Sequence, residues 1–293
     1  MRLGPFDTSR INVRSSSAGG GGGARRAGGI GCGTLAIALI GAVVFGLDPM
    51  QTIGLVEGVQ QQAGPAQSGG GGGDLSEAEV CATSAYATEA CNALTSLNTT
   101  WEAAFDRAGI PFEQPFLDLY RDGRVATDGC GSATSAAGPF YCPADKGIYI
   151  DTSFYDQLAQ MAGTGGDFAR FYVIAHEYGH HIQTITGLSP QVRSAQQRSP
   201  SQANQLQVAM ELQADCYAGM WAGRNRNLIE PGDLEEGLKA ASAIGDDTLM
   251  RNAGQRINPE SFTHGTSRQR MQALKLGLES RNDSACDVFF DAG

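Results

Sequence analysis

The sequence predicts an α+β domain, predominantly helical, joined to one N-terminal membrane-spanning helix. Three observations predict it. Apolar residues recur at helical spacing through most of the second half of the chain, strand composition is confined to two short stretches ahead of it, and an uncharged apolar run stands apart near the N-terminus.

Residues 1–26 read as a Gly- and Arg-rich cytoplasmic tail, with Arg2, Arg10, Arg14, Arg25 and Arg26 against a single acid, Asp7. Residues 27–47, containing GIGCGTLAIALIGAVVFGL, are apolar for long enough to cross a bilayer once. Residues 48–73 end in a glycine run and read as a flexible linker, leaving 74–293 as the domain. Arginines before the run and Asp48 after it place the N-terminus in the cytoplasm and the domain outside. A cleaved signal peptide is the alternative, against which the length of the run and the lack of a small-x-small site with a clean polar flank count. The 293-residue chain has a formal charge of −10, and residues 1–47 hold five Arg and one Asp, so the remainder carries −14. That balance argues against nucleic acid or an anionic surface as a partner. Nothing in the sequence indicates an oligomeric state.

Of seven cysteines, Cys32 falls in the apolar run and six follow: Cys81, Cys91, Cys130, Cys142, Cys216 and Cys286. An even number in an exported domain suggests disulfides. No C-x-x-C spacing occurs, so zinc held by cysteine is not expected. If residues 77–105 form one helix, Cys81 and Cys91 lie about 15 Å apart along it, too far to bond. Either that helix breaks or the two have other partners.

Along the domain, Ser76-Glu77-Ala78-Glu79 is a capping-box pattern, followed by Leu94, Leu97, Trp101 and Phe105 at core spacing. Phe116 to Tyr120 and Gly147 to Asp151 have strand composition. The second is either an ordinary strand or an edge able to pair with an extended peptide. Asp167 can cap a helix to about Thr186, with Phe171, Ile174, Tyr178, Ile182 and Ile185 as its apolar stripe and Gly187, Ser189 and Pro190 ending it. Ser199-Pro200-Ser201-Gln202 has Ser, Pro and Gln at the cap, first and third positions of a helix running to about Gly223. Asp233 with Glu236 opens another, lined by Leu234, Leu238, Ala241 and Ile244, and a last helix carries Met271, Leu274 and Leu278.

Three of the chain's four histidines fall within His176-Glu177-Tyr178-Gly179-His180-His181. On a helix His176 and His180 are one turn apart on one face, where both rings can ligate a single ion. Glu177 is rotated by about 100° and can reach a water at that ion without being a ligand. A third ligand is needed. The fourth histidine, His264, is far from the spacing of H-E-x-x-H-x-x-G-x-x-H, in which residue 186, here Thr, would be the ligand. Glu211 is the better candidate. It lies with Asp215 at i, i+4 in a helix of otherwise uncharged residues, where the two acids repel each other and resist burial. An ion on Glu211, with Asp215 bonded to the far nitrogen of a ligating histidine, removes that penalty; a solvated acidic pair is the alternative. His264 could donate to an oxyanion or be a structural loop histidine. His181 could touch Glu177 or bond backbone, and Arg268 and Arg270 could pair with acids near the site, bind a substrate carboxylate or sit on the surface.

HEYGHH followed by ELQADC, with GPFYCPADKGIYID before and SFTHGTSRQR after, resembles the bacterial family of putative neutral zinc metallopeptidases, membrane-anchored proteins of the gluzincin type. The resemblance covers roughly Asp74 onward and the arrangement of tail, span and linker. It implies a zincin-like catalytic domain with a small sheet before the H-E-x-x-H helix, one Zn2+ on His176, His180 and Glu211, Glu177 as catalytic base, and a peptide or protein substrate. It also implies disulfides Cys130–Cys142 and Cys216–Cys286, with Cys81 and Cys91 as an addition. The expectation is a membrane-anchored zinc peptidase. The rival is a catalytically silent zinc-stabilised envelope scaffold, against which Glu177 counts, because structural zinc needs no base and takes a fourth protein ligand.

Overall fold

The computed structural model describes residues 1–16, 75–121, 123–280 and 282–290. Ser76 opens helix α1 (Glu77–Cys81) with the expected capping box: its hydroxyl accepts from the Glu79 N–H while the Glu79 carboxylate accepts from the Ser76 N–H. The helix then breaks, and Ser84 caps α2 (Ala85–Ala108). That interruption brings Cys81 and Cys91 to a Cα separation of 5.9 Å, where they form a disulfide. Cys130–Cys142 and Cys216–Cys286 are the other two.

Among the described residues there are six short strands: β1 (Val13–Arg14), β2 (Phe116–Tyr120), β3 (Arg124–Ala126), β4 (Ser132–Thr134), β5 (Phe140–Cys142) and β6 (Gly147–Asp151). The main sheet has the order β1-β2-β6-β5, in which β1, β2 and β6 are parallel and β5 runs antiparallel to β6. Pairing sets Leu117 beside Ile148 and Leu119 beside Ile150, all buried. β6 is an interior strand, so Gly147 to Asp151 is not an edge for a peptide; β5 is the edge beside it. β3 and β4 form a separate antiparallel pair.

The remaining helices are α3 (Phe154–Ala162), α4 (Asp167–Ile185), α5 (Leu188–Arg198), α6 (Ala203–Arg224), α7 (Asp233–Ala243), α8 (Asp246–Asn252) and α9 (Ser267–Glu279). α4 is buried on nearly every side, by Phe168, Phe171, Tyr172, Ile174, Tyr178 and Ile182 among others. It packs against α2, α6 and α7 and touches β5 and β6. Its cap is Gly166; Asp167 is its first helical residue, and the Asp167 carboxylate instead accepts from the Met1 amino group at 2.9 Å. α5 departs from the expected loop. Gly187, at φ 80°, ends α4, but Pro190 stands in the first turn of α5, where a missing N–H leaves no helical bond unmade. Ser199 makes no side-chain cap, and a 3-10 turn at Pro200–Gln202 precedes α6. The result is mostly helical with a small mixed sheet, an α+β fold.

Among the described residues no helix is long and apolar enough to cross a membrane. The expected span at 27–47 and linker at 48–73 lie outside the described residues. Residues 1–16 of the expected tail lie inside, and they pack onto the domain instead of standing apart from it. Ile11 and Val13 are buried, and β1 adds to the sheet because Leu117 N–H donates to Asn12 carbonyl at 2.9 Å beside the Val13–Leu117 pair.

Candidate metal centre

α4 and α6 pack closely beside the site, and one glycine permits it. A Cβ at Gly179 would lie 2.8 Å from the Ala214 Cα, well inside the about 3.5–4.0 Å of an ordinary carbon contact. The glycine of HEYGHH therefore lets the helix bearing Glu211 and Asp215 reach the helix bearing the histidines.

His176 Nε2 lies 3.1 Å from Glu211 Oε2, and His180 Nε2 lies 3.6 Å from Glu211 Oε1. These three residues place ligand atoms within 4.8 Å of one another. The spacing suits zinc: tetrahedral ligands at about 2.0–2.1 Å from the ion stand about 3.3 Å apart. Hydrogen bonding on the far side of each ring selects the matching tautomer. Asp215 Oδ1, an acceptor, is 2.8 Å from His176 Nδ1. Gln183 Oε1 is 2.8 Å from His180 Nδ1, oriented because its amide nitrogen donates to the Met210 carbonyl and Gln213 Oε1. With an acceptor at each Nδ1, the arrangement favours the tautomer that leaves Nε2 of each ring available to an ion bound beside Glu211.

Charge points the same way. Glu177, Glu211 and Asp215 are buried with one buried cation, Arg270, which leaves a formal −2 with neutral histidines, the complement of a divalent ion. Burial opposes a charged His176, but Asp215 and then Glu211 outweigh it and raise its pKa to about 10. Burial likewise would raise the Glu211 carboxyl, yet His180, His176 and more distantly His264 hold it well below the usual range. Glu177 goes the other way: burial raises it, and the histidines offset this only in part. Among the described residues its carboxylate has no hydrogen-bond partner, so it remains open to accept a proton.

Asp215 is fully buried and held from three directions. Arg270 binds it with two nitrogens, at 2.8 and 3.0 Å, Tyr172 donates to it at 2.5 Å, and His176 completes the set. Of the roles left open for Arg270, the structure shows pairing with an acid at the site. Tyr172, Gln183 and Gln207, which donates to Glu211 Oε1 at 3.0 Å, were not anticipated. Each stands three or four positions from His176, His180 or Glu211 on the same helix, and that spacing was the available signal.

His264 sits in the loop before α9. Its backbone N–H and those of Thr263 and Gly265 all donate to Asp246 Oδ2, and its Nδ1 lies 3.1 Å from Asp246 Oδ1. The loop rests on α6 near Val208 and Leu212, beside the turn that carries Glu211. His181 does not touch Glu177. It is fully buried between the Glu113 carbonyl, 2.6 Å from Nε2, and the Tyr141 hydroxyl, 3.2 Å from Nδ1, and burial pushes its pKa down to about 4.

The family described as "Putative neutral zinc metallopeptidase" matches residues 7–289. The chain belongs to this family. It is 47% identical over 199 residues to "Uncharacterized protein YpfJ" of Escherichia coli K12, covering 67% of this chain and 69% of that one. It is 39% identical over 191 residues to "Uncharacterized protein Rv2575" of Mycobacterium tuberculosis H37Rv, covering 61% of this chain and 63% of that one. No solved structure is a significant match. Membership in a zinc metallopeptidase family agrees with a hydrolase whose His176, His180 and Glu211 could hold a metal ion.

Proposed function

We propose that the chain is a zinc-dependent peptidase of the gluzincin, zincin-like type. His176, His180 and Glu211 hold one zinc ion, and the substrate is a peptide or protein. The observation that carries the reading is the Glu177 carboxylate, buried beside a three-ligand cluster and bonded to nothing among the described residues. A structural zinc takes four protein ligands and needs no such group.

When bound, zinc supplies Lewis acidity to a carbonyl oxygen and acidifies a water beside it. Glu177 takes the attacking water's proton on a carboxylate oxygen, and the burial that raises its pKa lets it keep that proton until the leaving nitrogen collects it. Asp215 holds the His176 ring in the tautomer that presents Nε2, and Arg270 and Tyr172 hold Asp215. His264, fixed through Nδ1 and its backbone by Asp246, is the donor to the oxyanion. β5, the edge strand whose Tyr141 touches His181 on α4, is the strand with which an extended substrate pairs. The three disulfides support work in an oxidising compartment outside the cytoplasm.

The test compares zinc-loaded full chain with Glu177→Gln on a peptide library. Hydrolysis should fall by about 10²–10⁴-fold with zinc content and melting temperature unchanged. Equal turnover by the two proteins removes Glu177 as base. No turnover by either, with zinc bound, favours a zinc-stabilised scaffold.

A further inference from the structure

The N-terminal segment is held by contacts specific to its sequence. Asp118, on β2, is completely buried. Its carboxylate is bonded by Arg14 Nε at 2.8 Å, the Ser16 backbone N–H at 3.0 Å and the Ser16 hydroxyl at 2.6 Å. Every hydrogen-bond partner of that carboxylate among the described residues therefore comes from residues 1–16. A buried carboxylate stripped of its partners is strongly disfavoured, so the domain is built to receive this segment. Along α2, Phe6 N–H donates to Asn92 Oδ1 at 2.8 Å and Arg10 pairs with Glu102 at 3.1 Å.

A second line runs to the metal helix. Asn98, 3% exposed, donates to the Arg10 carbonyl at 2.6 Å and accepts from the Tyr178 hydroxyl at 2.8 Å. Tyr178 is the residue between Glu177 and Gly179. One buried amide thus joins the N-terminal segment to the turn of α4 that carries Glu177 and His180. The family match begins at residue 7, inside the segment.

We infer that residues 1–16 are a permanent part of the domain, on the same side of any membrane as the metal centre, and that they position α4 through Asn98 and Tyr178. A single crossing by the run at 27–47 would put the segment and the domain on opposite sides and leave Asp118 without Arg14 and Ser16. The docked segment and such a crossing exclude one another. This inference does not depend on the peptidase reading.

The first test is made in intact cells with the full chain, carrying a benzophenone side chain in place of exposed Arg10. Illumination followed by mass mapping should link residue 10 to residues 95–102 of the same chain. A link between two chains, or none to this helix, overturns the inference. The second uses purified full chain bearing Arg14→Gln, Asp118→Asn or both. Each single change should lower the melting temperature by roughly 6 °C or more, and the double change should do little more than the worse single; additive losses remove the pin. The third is Tyr178→Phe, which deletes only the hydroxyl that reaches Asn98. It should speed amide exchange in the middle of α4 and weaken zinc binding, read by chelator competition, by about 10-fold. A lower melting temperature with both unchanged shows a structural bond without a positioning role.

Discussion

Adding one methyl group at Gly179 sets two effects of opposite sign against each other. Alanine is favoured over glycine inside a helix by about 1 kcal/mol, so α4 considered alone should gain stability. The same methyl would meet Ala214 at 2.8 Å from its Cα, 2.9 Å from its oxygen and 3.0 Å from its Cβ. Two of these contacts are with backbone, which cannot rotate away. Relief to an ordinary carbon contact requires α4 and α6 to separate by about 0.7 Å or more, and overpacking of this kind costs about 1–3 kcal/mol. The net loss in the zinc-free protein is therefore small, about 0–2 kcal/mol. The larger effect falls on the ligands. Ala214 is three residues from Glu211, so the shift stretches the spacings of 3.1 and 3.6 Å between Glu211 and the two imidazoles towards 4 Å, past the about 3.3 Å that a tetrahedral site needs. Zinc affinity of Gly179→Ala, measured by competition with a chelator, should fall at least about 10-fold while the zinc-free melting temperature moves by only a few degrees. A variant that melts higher than wild type and binds zinc as tightly would show slack between the helices and refute the reasoning.

Glu211→Ala removes a ligand and Asp215→Asn only the charge behind one, so zinc affinity should fall in the order wild type, Asp215→Asn, Glu211→Ala, with about 10–100-fold lost at the first step; equal binding by Glu211→Ala and wild type would mean the third ligand lies elsewhere. Arg270→Met leaves Asp215 buried without its cation and should cost the zinc-free protein about 3–5 kcal/mol. Because the ion then answers a larger excess of negative charge, the gap between zinc-free and zinc-bound melting temperatures should widen, and a narrower gap counts against the charge balance described for the site. Replacing Cys81 and Cys91 with alanine opens a loop of 10 residues, against 70 for Cys216 and Cys286, so thermal unfolding should show losses of about 3 and about 4 kcal/mol by loop entropy; a larger loss at the shorter loop would rule out that account.

The candidate metal cluster was legible because its residues obey helical spacing. His176 and His180 are one turn apart, Glu211 and Asp215 one turn apart, and a pair of acids in an apolar helix called for an explanation that an ion supplies. The residues behind them were harder to read. Arg270 comes from α9, and only the tertiary approach of α9 to α6 brings it to Asp215. α5 was hidden by Gly187 and Pro190, which are turn residues everywhere except at a helix boundary and a first helical turn. The break after Cys81 follows from a local competition in which Ser84 caps a new helix, while the capping box at Ser76 and the apolar spacing beyond it favour continuity. β1 left no trace at all. Two residues cannot show alternation, and the partner that makes Val13 and Arg14 a strand lies about a hundred residues further along the chain.

β1 also decides what the outer edge of the sheet presents to other molecules. With β1 in place, β2 is an interior strand, its Phe-Leu-Asp-Leu-Tyr sequence paired throughout with β6 and, at Leu117 and Asp118, with β1 as well. Take β1 away and the same five residues become an edge with unsatisfied N–H and C=O groups, four of the five side chains apolar or aromatic and no lysine or proline among them. Edges of that composition recruit further strands. A chain shortened to begin at residue 75 would retain every candidate metal ligand and all three disulfides, yet it would carry a self-complementary flank. Its expected failure is concentration-dependent aggregation through β2, visible as growing scattering and a gain of intermolecular β-structure, long before the metal centre itself gives way.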